Sequence, residues 1–186
     1  FFSIFRETSV IYDVTEFLLR SGKEVIPFDT IATLNEKSGS YLINGLAPFS
    51  ADVSSRSNTR IIATDEHFPI FHRIRLIHGT WFENSDEPAA VIDASLAVSL
   101  FFTENAVGKP ITVGGTTLTV VGVYKSDESL LQKVSGENRT PVFLPFGSLH
   151  ETPIGPSYLY IKEKARDGSL RRVTYDTILQ LDGDTQ

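Results

Sequence analysis

The sequence predicts a mixed α+β fold, because segments with the two-residue alternation of strands are interspersed with short amphipathic helices. In order, the predicted elements are α-β-β, then β-α-β-β, then β-β-α. The two ends of the chain resemble each other in this order and flank a central unit. We therefore expect a discontinuous subdomain formed by residues 1–60 and 136–186, with an inserted subdomain at residues 61–135.

The composition is that of a folded domain that needs no covalent support. A chain of 186 residues buries about 70% of the surface that its unfolded form exposes. Its net charge is −6 with scattered charges, so we expect no nucleic-acid partner. Cysteine is absent, which excludes thiol catalysis, cysteine-based zinc sites and disulfides.

The start of the sequence is apolar and lacks an initiator methionine. Phe1-Phe2-Ser3-Ile4-Phe5 is typical of the tail of a removed membrane helix, or of a terminus that docks on the core. Both interpretations stay open. No run approaches the roughly 20 apolar residues of a membrane span, and no signal peptide is visible.

Two elements and a turn are predicted before residue 40. Helical spacing of apolar residues predicts a helix over Ser9–Arg20, capped by Ser9 and ended at Gly22. Alternation predicts a strand over Glu24–Leu34, where Pro27 indicates an edge or a bulge. Residues 35–40 are polar and predict a turn.

The next segments are predicted from alternation and from runs of polar residues. Tyr41–Leu46 is a plausible partner strand, and the serine-rich residues 50–60 predict a loop or a crossing between subdomains. Arg60–Thr64 regains strand character. Residues 65–82 form a dense apolar segment in which we expect a short helix before Gly79.

The stretch from Pro88 to Val123 has the strongest pattern in the chain. Ala89–Ile92 predicts a buried strand, and Asp93 is a natural helix N-cap. Gly114-Gly115 predicts a two-residue hairpin turn, followed by a return strand over Thr117–Lys125. Gly122 interrupts that strand where a bulge or close packing is expected. The helix between them has one apolar face, formed by Leu96, Ala97, Leu100 and Phe101.

The last third of the chain predicts two strands and one helix. Residues 126–141 predict a long loop. Val142–Pro145 and Ser157–Lys162 have strand patterns. Ser169–Leu181 predicts a helix with four apolar residues on one face, namely Leu170, Val173, Ile178 and Leu181.

Histidines supply one hypothesis of chemistry, a metal-dependent hydrolase. His67, His72 and His78 are five and six residues apart, with Asp65 and Glu66 beside the first. Two ligands share a helix face only at spacings of three or four, so the spacing does not favour a metal site. His150 is isolated and is expected at the surface.

No other catalytic pattern is present in the sequence. There is no Gly-x-Ser-x-Gly motif, and Gly108-Lys109 lacks the remainder of a phosphate-binding loop. We therefore predict no catalytic, cofactor-binding or metal-binding residue and no cofactor. Paired carboxylates lie in polar segments typical of solvated turns, at Asp65-Glu66, Asp86-Glu87 and Asp127-Glu128.

Aromatic residues are concentrated in one segment that contains Phe68, Phe71, Trp81 and Phe82. Large apolar side chains are most often buried, so a core is one interpretation. An apolar groove for a peptide or a lipid is the other.

An ordered set of motifs resembles a known family. The motifs are Thr64-Asp-Glu-His-Phe68, Arg75-Leu-Ile-His-Gly-Thr-Trp-Phe82, Ala90-Val-Ile-Asp-Ala-Ser-Leu-Ala97, Asn105-Ala-Val-Gly-Lys-Pro-Ile111, the Gly-Gly turn, Thr119-Val-Val-Gly-Val-Tyr-Lys125 and Pro141-Val-Phe-Leu-Pro145. Over residues 62–146 the chain is similar to the periplasmic core domain of MacB-like ABC transporter permeases, a group that includes the FtsX and lipoprotein-release permeases. Thr80 and Ala106 stand where that family usually has arginine and proline.

The resemblance implies a porter-like α/β-sandwich subdomain, built from both chain ends, with a smaller strand-rich insert. It implies a location on the extracytoplasmic side of a bacterial membrane, between the first two helices of a four-helix permease. Its function would be to contact a substrate or a partner protein and to relay ATP-driven conformational change, without catalysis. Implied partners are an ABC ATPase, as a separate chain or another domain, a second permease chain as homodimer or heterodimer, and a peptide, lipid or lipoprotein substrate.

A ligand-binding or sensor module of another membrane protein remains the alternative function. It shares the predicted fold and differs in the segments that would follow the domain. The sequence gives neither the substrate nor the direction of transport.

Overall fold

The structure is a computed structural model that describes residues 5–11, 14–19, 35–36, 39, 41–84, 86–126, 140–148 and 158–172, with backbone alone at 5–11, 14–19 and 171–172. Two predicted elements lie outside these residues in whole or large part: the strand Glu24–Leu34 and the loop 126–141. The same holds for residues 173–181 of the last predicted helix and for Gly22.

The chain divides into two compact units. The terminal unit comprises Phe1–Gly45 and Gly155–Gln186, and the central unit comprises Leu46–Ile154. The prediction placed the boundaries after residues 60 and 135. The difference arises because residues 46–60 pair with other strands of the central unit.

The terminal unit contains an antiparallel hairpin at the chain start. It is formed by β1 (Phe5–Ile11) and β2 (Val14–Leu19), in which Ile11 pairs with Val14. The predicted helix over Ser9–Arg20 is therefore wrong. This segment is rich in β-branched and aromatic residues, which favour strands, and twelve residues are too few for helical spacing alone to decide.

Two strands from the C-terminal part of the chain extend this hairpin on the side of β2. The strand β10 (Tyr158–Lys164) is antiparallel to β2 and confirms the strand predicted over Ser157–Lys162. The strand β11 (Leu170–Arg172) is antiparallel to β10. The helix predicted from Ser169 is thus wrong at residues 170–172.

A long hairpin leads into the central unit. Its strands are β3 (Tyr41–Val53) and β4 (Arg56–Thr64), which pair antiparallel from Leu46↔Thr64 to Val53↔Arg56. The strands predicted over Tyr41–Leu46 and Arg60–Thr64 are confirmed. The loop predicted at residues 50–60 is wrong, because its polar residues are the exposed positions of paired strands.

The remaining elements of the central unit follow in chain order. They are α1 (Phe68–Phe71), β5 (Arg75–Gly79), β6 (Ala89–Asp93), α2 (Ala94–Phe101), β7 (Pro110–Val113), β8 (Thr116–Lys125), β9 (Val142–Pro145) and a 3-10 turn (Phe146–Ser148). The helix expected before Gly79 is a single turn at α1. The residues directly before Gly79 form strand β5 instead.

Strand pairing in the central unit forms a closed circuit. The order is β3-β4-β9-β6-β8-β7, and β7 returns to β3 through the pair Val53↔Val113. The β4–β9 and β6–β8 pairs are parallel, and the other pairs in the circuit are antiparallel. The strand β5 lies off this circuit and pairs antiparallel with the C-terminal half of β8.

One hydrophobic core lies in this circuit of strands. Every strand of the circuit contributes a fully buried aliphatic residue, and α2 adds Leu96 and Ala97. Leu100 and Phe101 pack against the core, which confirms the apolar helix face. The strand residues are Val53, Ile61, Ala90, Ile92, Ile111, Val113, Leu118, Val120, Val123, Val142 and Leu144.

Candidate functional site

A cluster of ionisable side chains lies between β4 and α1. His67 Nδ1 is 3.5 Å from Asp65 Oδ1 and 3.6 Å from Glu66 Oε1. Asp65 Oδ1 also accepts a hydrogen bond from the backbone N–H of His67 at 2.9 Å. Because the three residues are consecutive, this turn brings one imidazole and two carboxylates together at the entrance to α1.

Among the described residues, these three offer potential metal-ligand atoms that all lie within 4.8 Å of one another. Imidazole and carboxylate are ordinary ligands of divalent cations. The structure does not add His72 or His78 to the cluster. The three histidines are therefore not brought together as the metal-dependent hydrolase hypothesis requires.

The other histidines have different environments. The ring of His72 stacks on Phe68 with a centroid distance of 4.4 Å. His78 lies in β5 opposite Val123 and is half-buried. His150 lies outside the described residues.

The aromatic segment forms part of the core. Phe68 stacks nearly parallel to Trp81 with centroids 5.2 Å apart, and both contact Phe143 of β9. Phe82 packs against Trp81 at 4.6 Å. The four aromatic residues of the segment, Phe68, Phe71, Trp81 and Phe82, are buried. Trp81 Nε1 donates a hydrogen bond to the backbone oxygen of Asp65 at 3.3 Å. The core interpretation of this segment is confirmed.

Asp93 is the polar anchor of the central unit. It is buried at the end of β6, and its Oδ1 accepts hydrogen bonds from the backbone N–H of Ser95 at 2.8 Å and from Ser95 Oγ at 2.5 Å. The predicted N-cap is thus confirmed. Its second oxygen, Oδ2, accepts from the backbone N–H of Ser126 at 3.2 Å.

Tyr124 supplies a second anchor nearby. Its hydroxyl donates to the backbone oxygen of Pro141 at 2.7 Å. Burial, together with the negative charge of Asp93, raises the pKa of Tyr124 well above its ordinary value, so the phenol is neutral at physiological pH. Asp93 and Tyr124 therefore hold the backbone at Ser126 and at Pro141.

The sequence predicts the Asp93 cap, but not the hydrogen bond from the Ser126 N–H to Asp93 or the one from the Tyr124 hydroxyl to Pro141. Parallel pairing places Asp93 directly opposite Tyr124. That register is a tertiary feature, and no local motif encodes it.

Exposed apolar residues lie on the helix α2 and directly after it. Val98 and Val107 are nearly half exposed, and Phe102 is 91% exposed with a left-handed φ of +58°. A bulky residue is uncommon in this conformation, which glycine adopts more readily. The sequence around Phe102 does not predict its exposure, because no neighbouring residue distinguishes an exposed phenylalanine from a buried one.

The buried polar side chains of the central unit have structural partners. Buried polar groups such as Asp93 and Tyr124 hold backbone atoms in place through hydrogen bonds to Ser95, Ser126 and Pro141. Among the described residues, no helix has the length and apolar composition that a bilayer crossing requires.

Comparison with known proteins covers almost the whole chain. A family model described as the MacB-like periplasmic core domain matches residues 7–178. The macrolide export ATP-binding/permease protein MacB of Pasteurella multocida (strain Pm70) is 27% identical over 143 residues. That alignment covers 69% of this chain and 21% of the relative, so the chain spans about a fifth of that protein's length.

Two solved structures share the fold. The periplasmic region of MacB from Actinobacillus actinomycetemcomitans has a TM-score of 0.64 at 14% identity and covers 92% of this chain and 80% of its own. The extracellular domain of the ABC-type transporter YknZ from Gram-positive bacteria has a TM-score of 0.59 at 18% identity, covering 81% and 79%. These similarities establish the fold, and the α+β prediction is confirmed.

Proposed function

The chain belongs to the MacB-like periplasmic core domain family, and on that premise we propose that it is a non-catalytic domain of an ABC transporter permease that contacts substrate or partner and relays ATP-driven motion. The observation that carries this proposal is the family match over residues 7–178. The resemblance predicted from residues 62–146 is confirmed, and the match extends beyond them on both sides, over residues 7–178. Family membership implies an extracytoplasmic location.

The absence of catalysis is part of the proposal and has a chemical argument. The imidazole of His67 lies 3.5 Å from the carboxylate of Asp65 and 3.6 Å from that of Glu66. Serine or thiol catalysis needs a hydroxyl or thiol nucleophile beside a base, and the sequence contains neither a Gly-x-Ser-x-Gly motif nor a cysteine. Elemental analysis of the purified chain tests the competing metal-dependent hydrolase, because a stoichiometric metal lost in His67→Ala would contradict the proposal.

A relay of motion is supported by the rigidity of the central unit. Its strands close on themselves around one core. The tip of the β3–β4 hairpin is fixed to β7, where the N–H of Ser54 donates to Thr112 O at 2.7 Å and the N–H of Gly114 donates to Asp52 O at 2.9 Å. A close-packed body of this kind moves as a unit rather than deforming locally.

The proposed partners are those of a permease domain. They are a cytoplasmic ABC ATPase that acts through the membrane-spanning part, and a second permease chain as homodimer or heterodimer. Peptides, lipids and lipoproteins are the proposed substrate classes. Membrane helices on either side of the domain would anchor it, and a parent gene with no apolar span within a few tens of residues on either side would contradict this part.

Spin labelling tests the relay directly. The chain has no cysteine, so Thr117→Cys in a full-length permease from which any other cysteines are removed gives one labelling site on the exposed surface of β8. With the permease and its ATPase reconstituted in vesicles, we expect the distance between labels of the two permease chains to change on ATP addition.

An ATPase variant that binds but does not hydrolyse ATP is the control for turnover. With this variant, the labels should give only one of the two distance distributions that the active enzyme gives without and with ATP. Identical distributions with and without ATP in an actively transporting sample would contradict the relay.

A further inference from the structure

The strand β5 is the open edge of the central unit. The strand order ends at β5, whereas each other strand of this unit pairs with two neighbours in the closed circuit, β3 with β7 and β6 with β9 through one residue pair each. Of the described strands, β8 is the one that pairs with β5, through Arg75↔Lys125, Leu76↔Tyr124, His78↔Val123 and Gly79↔Gly122. Because backbone groups of a strand point alternately to both sides, about half of those in β5 face away from β8.

The surroundings of this edge are basic in an acidic protein. From Phe68 to Trp81 the sequence contains no acidic residue, although the chain as a whole has 23 of them and a net charge of −6. Arg73, Arg75 and Lys125 are exposed. The ion pairs found among the described residues involve none of these three cations.

Register places two of these cations directly opposite each other. Arg75 pairs with Lys125 across β5 and β8, and like charges in this position are destabilising. A third cation, Arg73, comes two residues before Arg75. A carboxylate beside β5 would relieve this repulsion.

We propose that the outer edge of β5 is a docking site for an extended acidic segment of a partner polypeptide, which adds a strand beside Arg75–Gly79. Main-chain hydrogen bonds to the edge supply affinity in this mode of recognition, and side chains supply selectivity. The cations around β5 select carboxylates on the incoming segment, and the half-buried Leu76 and Ile77 offer it apolar contact.

Two further features indicate which kind of polypeptide segment would bind at this edge. The register shift between Leu76 and His78 makes Ile77 an extra residue, and such a bulge twists the edge. The added strand is therefore short. A second copy of this chain would bring two sets of cations together, so charge complementarity favours an acidic partner over self-association.

This inference deepens the proposed function by naming the chemical class of a partner, and it rests on the domain having a contact role. It does not depend on coupling to an ATPase. Peptide binding by the chain alone therefore tests it separately from the ATP-dependent distance change.

The experiment uses the chain with a fluorescent hexapeptide of alternating glutamate and valine, blocked at both ends. We expect anisotropy to report binding that weakens with added salt. We also expect amide hydrogen exchange within residues 75–79 to slow in the complex. Arg75→Glu should weaken binding about tenfold, since charge reversal at one exposed contact changes the binding free energy by about 1.4 kcal/mol.

Three controls separate strand addition from simple attraction. Lys109→Glu makes the same charge change at an exposed site outside β5 and should leave affinity within about twofold. The same hexapeptide with alternate N-methylated amides keeps its charges but cannot pair along one edge, and should bind at least about tenfold more weakly. The lysine-valine hexapeptide should not bind.

Some outcomes would overturn the proposal. These are no binding of the acidic peptide, equal binding of the N-methylated peptide, or unchanged exchange at residues 75–79 in the complex. A concentration-dependent dimer protected at the same residues would assign the edge to a second copy instead.

Discussion

Gly79 and Gly122 are cross-strand partners in β5 and β8, and neither position has room for a side chain. A Cβ on Gly79 would lie 2.1 Å from the backbone oxygen of Val121, and one on Gly122 would lie 2.3 Å from that of Thr80. The N–H of Thr80 donates to Val121 O at 3.0 Å within this crossing. The pair therefore sets how closely β5 approaches β8.

Alanine at these two glycines should destabilise the central unit for different reasons. Gly122 has no positive φ, so Gly122→Ala introduces only the steric clash between the new Cβ and the backbone oxygen of Thr80. Such a clash costs about 1–3 kcal/mol. Gly79 also has a φ of +70°, which adds about 1 kcal/mol for alanine. We expect Gly79→Ala to lower the free energy of unfolding more than Gly122→Ala, measured by chemical denaturation.

Two other glycines provide the controls for this comparison. Gly115 has a φ of +88° and open space, so Gly115→Ala should show the backbone cost alone. Gly39 has open space and no positive φ, so Gly39→Ala should be nearly neutral. A loss in Gly122→Ala no greater than that in Gly39→Ala would show that the close approach does not constrain the fold.

Asp93→Ala should cost about 2 kcal/mol of stability. The substitution removes the cap of α2, worth about 1 kcal/mol, and leaves the Ser126 N–H without its partner oxygen. Asp93→Asn keeps one acceptor oxygen and should cost less. Thermal unfolding measures both effects.

Asp52 is a matched control for Asp93. Its carboxylate accepts a hydrogen bond from the backbone N–H of Asn58 at 3.0 Å, but at an exposed turn. Asp52→Ala should therefore cost under about 1 kcal/mol. Equal losses in the two alanine variants would show that the buried anchor at Ser126 contributes nothing.

Local signals were sufficient to predict the middle of the chain. The buried strand, the Asp93 cap, the helix face and the Gly114-Gly115 turn all depend on residues within a few positions of one another. The turn glycines have φ values of +55° and +88°, as a two-residue hairpin requires. Gly122 was also predicted, because a glycine inside a strand pattern indicates a bulge or close packing.

Elements that depend on distant partners were predicted less well. β2 pairs with β10, a strand close to the other end of the chain. That pairing makes the segment a strand, although the spacing of its apolar residues also fits a helix. The β3–β4 hairpin was missed because its outer residues are polar and its tip pairs with β7. The anchors at Ser126 and Pro141 likewise depend on the β6–β8 register.

Phe68→Ala should destabilise the central unit by about 3–5 kcal/mol, since it removes a buried ring that stacks on Trp81 and contacts Phe143. Trp81 is the single tryptophan of the sequence. Its fluorescence therefore reports unfolding of this unit in denaturant.

Phe102→Ala makes the same change at an exposed side chain. It should alter stability by no more than about 0.5 kcal/mol. A loss comparable with that of Phe68→Ala would mean that the ring of Phe102 is covered in solution.

Tyr124→Phe should lower stability at neutral pH by about 1–2 kcal/mol, because the buried carbonyl of Pro141 loses its donor. It should also change the response to alkali. Burial, and then the charge of Asp93, raise the pKa of Tyr124 in the folded state, whereas in the unfolded chain it lies near 10.

The sign of the alkaline effect follows from proton binding. Above about pH 10 the unfolded state releases this proton while the folded state retains it, so the stability due to the raised pKa is full below pH 10 and is lost as pH rises. The stability difference between the parent chain and Tyr124→Phe should therefore shrink between pH 9 and pH 11. A constant difference across this range would mean that the Tyr124 phenol ionises as readily in the folded state as in the unfolded one.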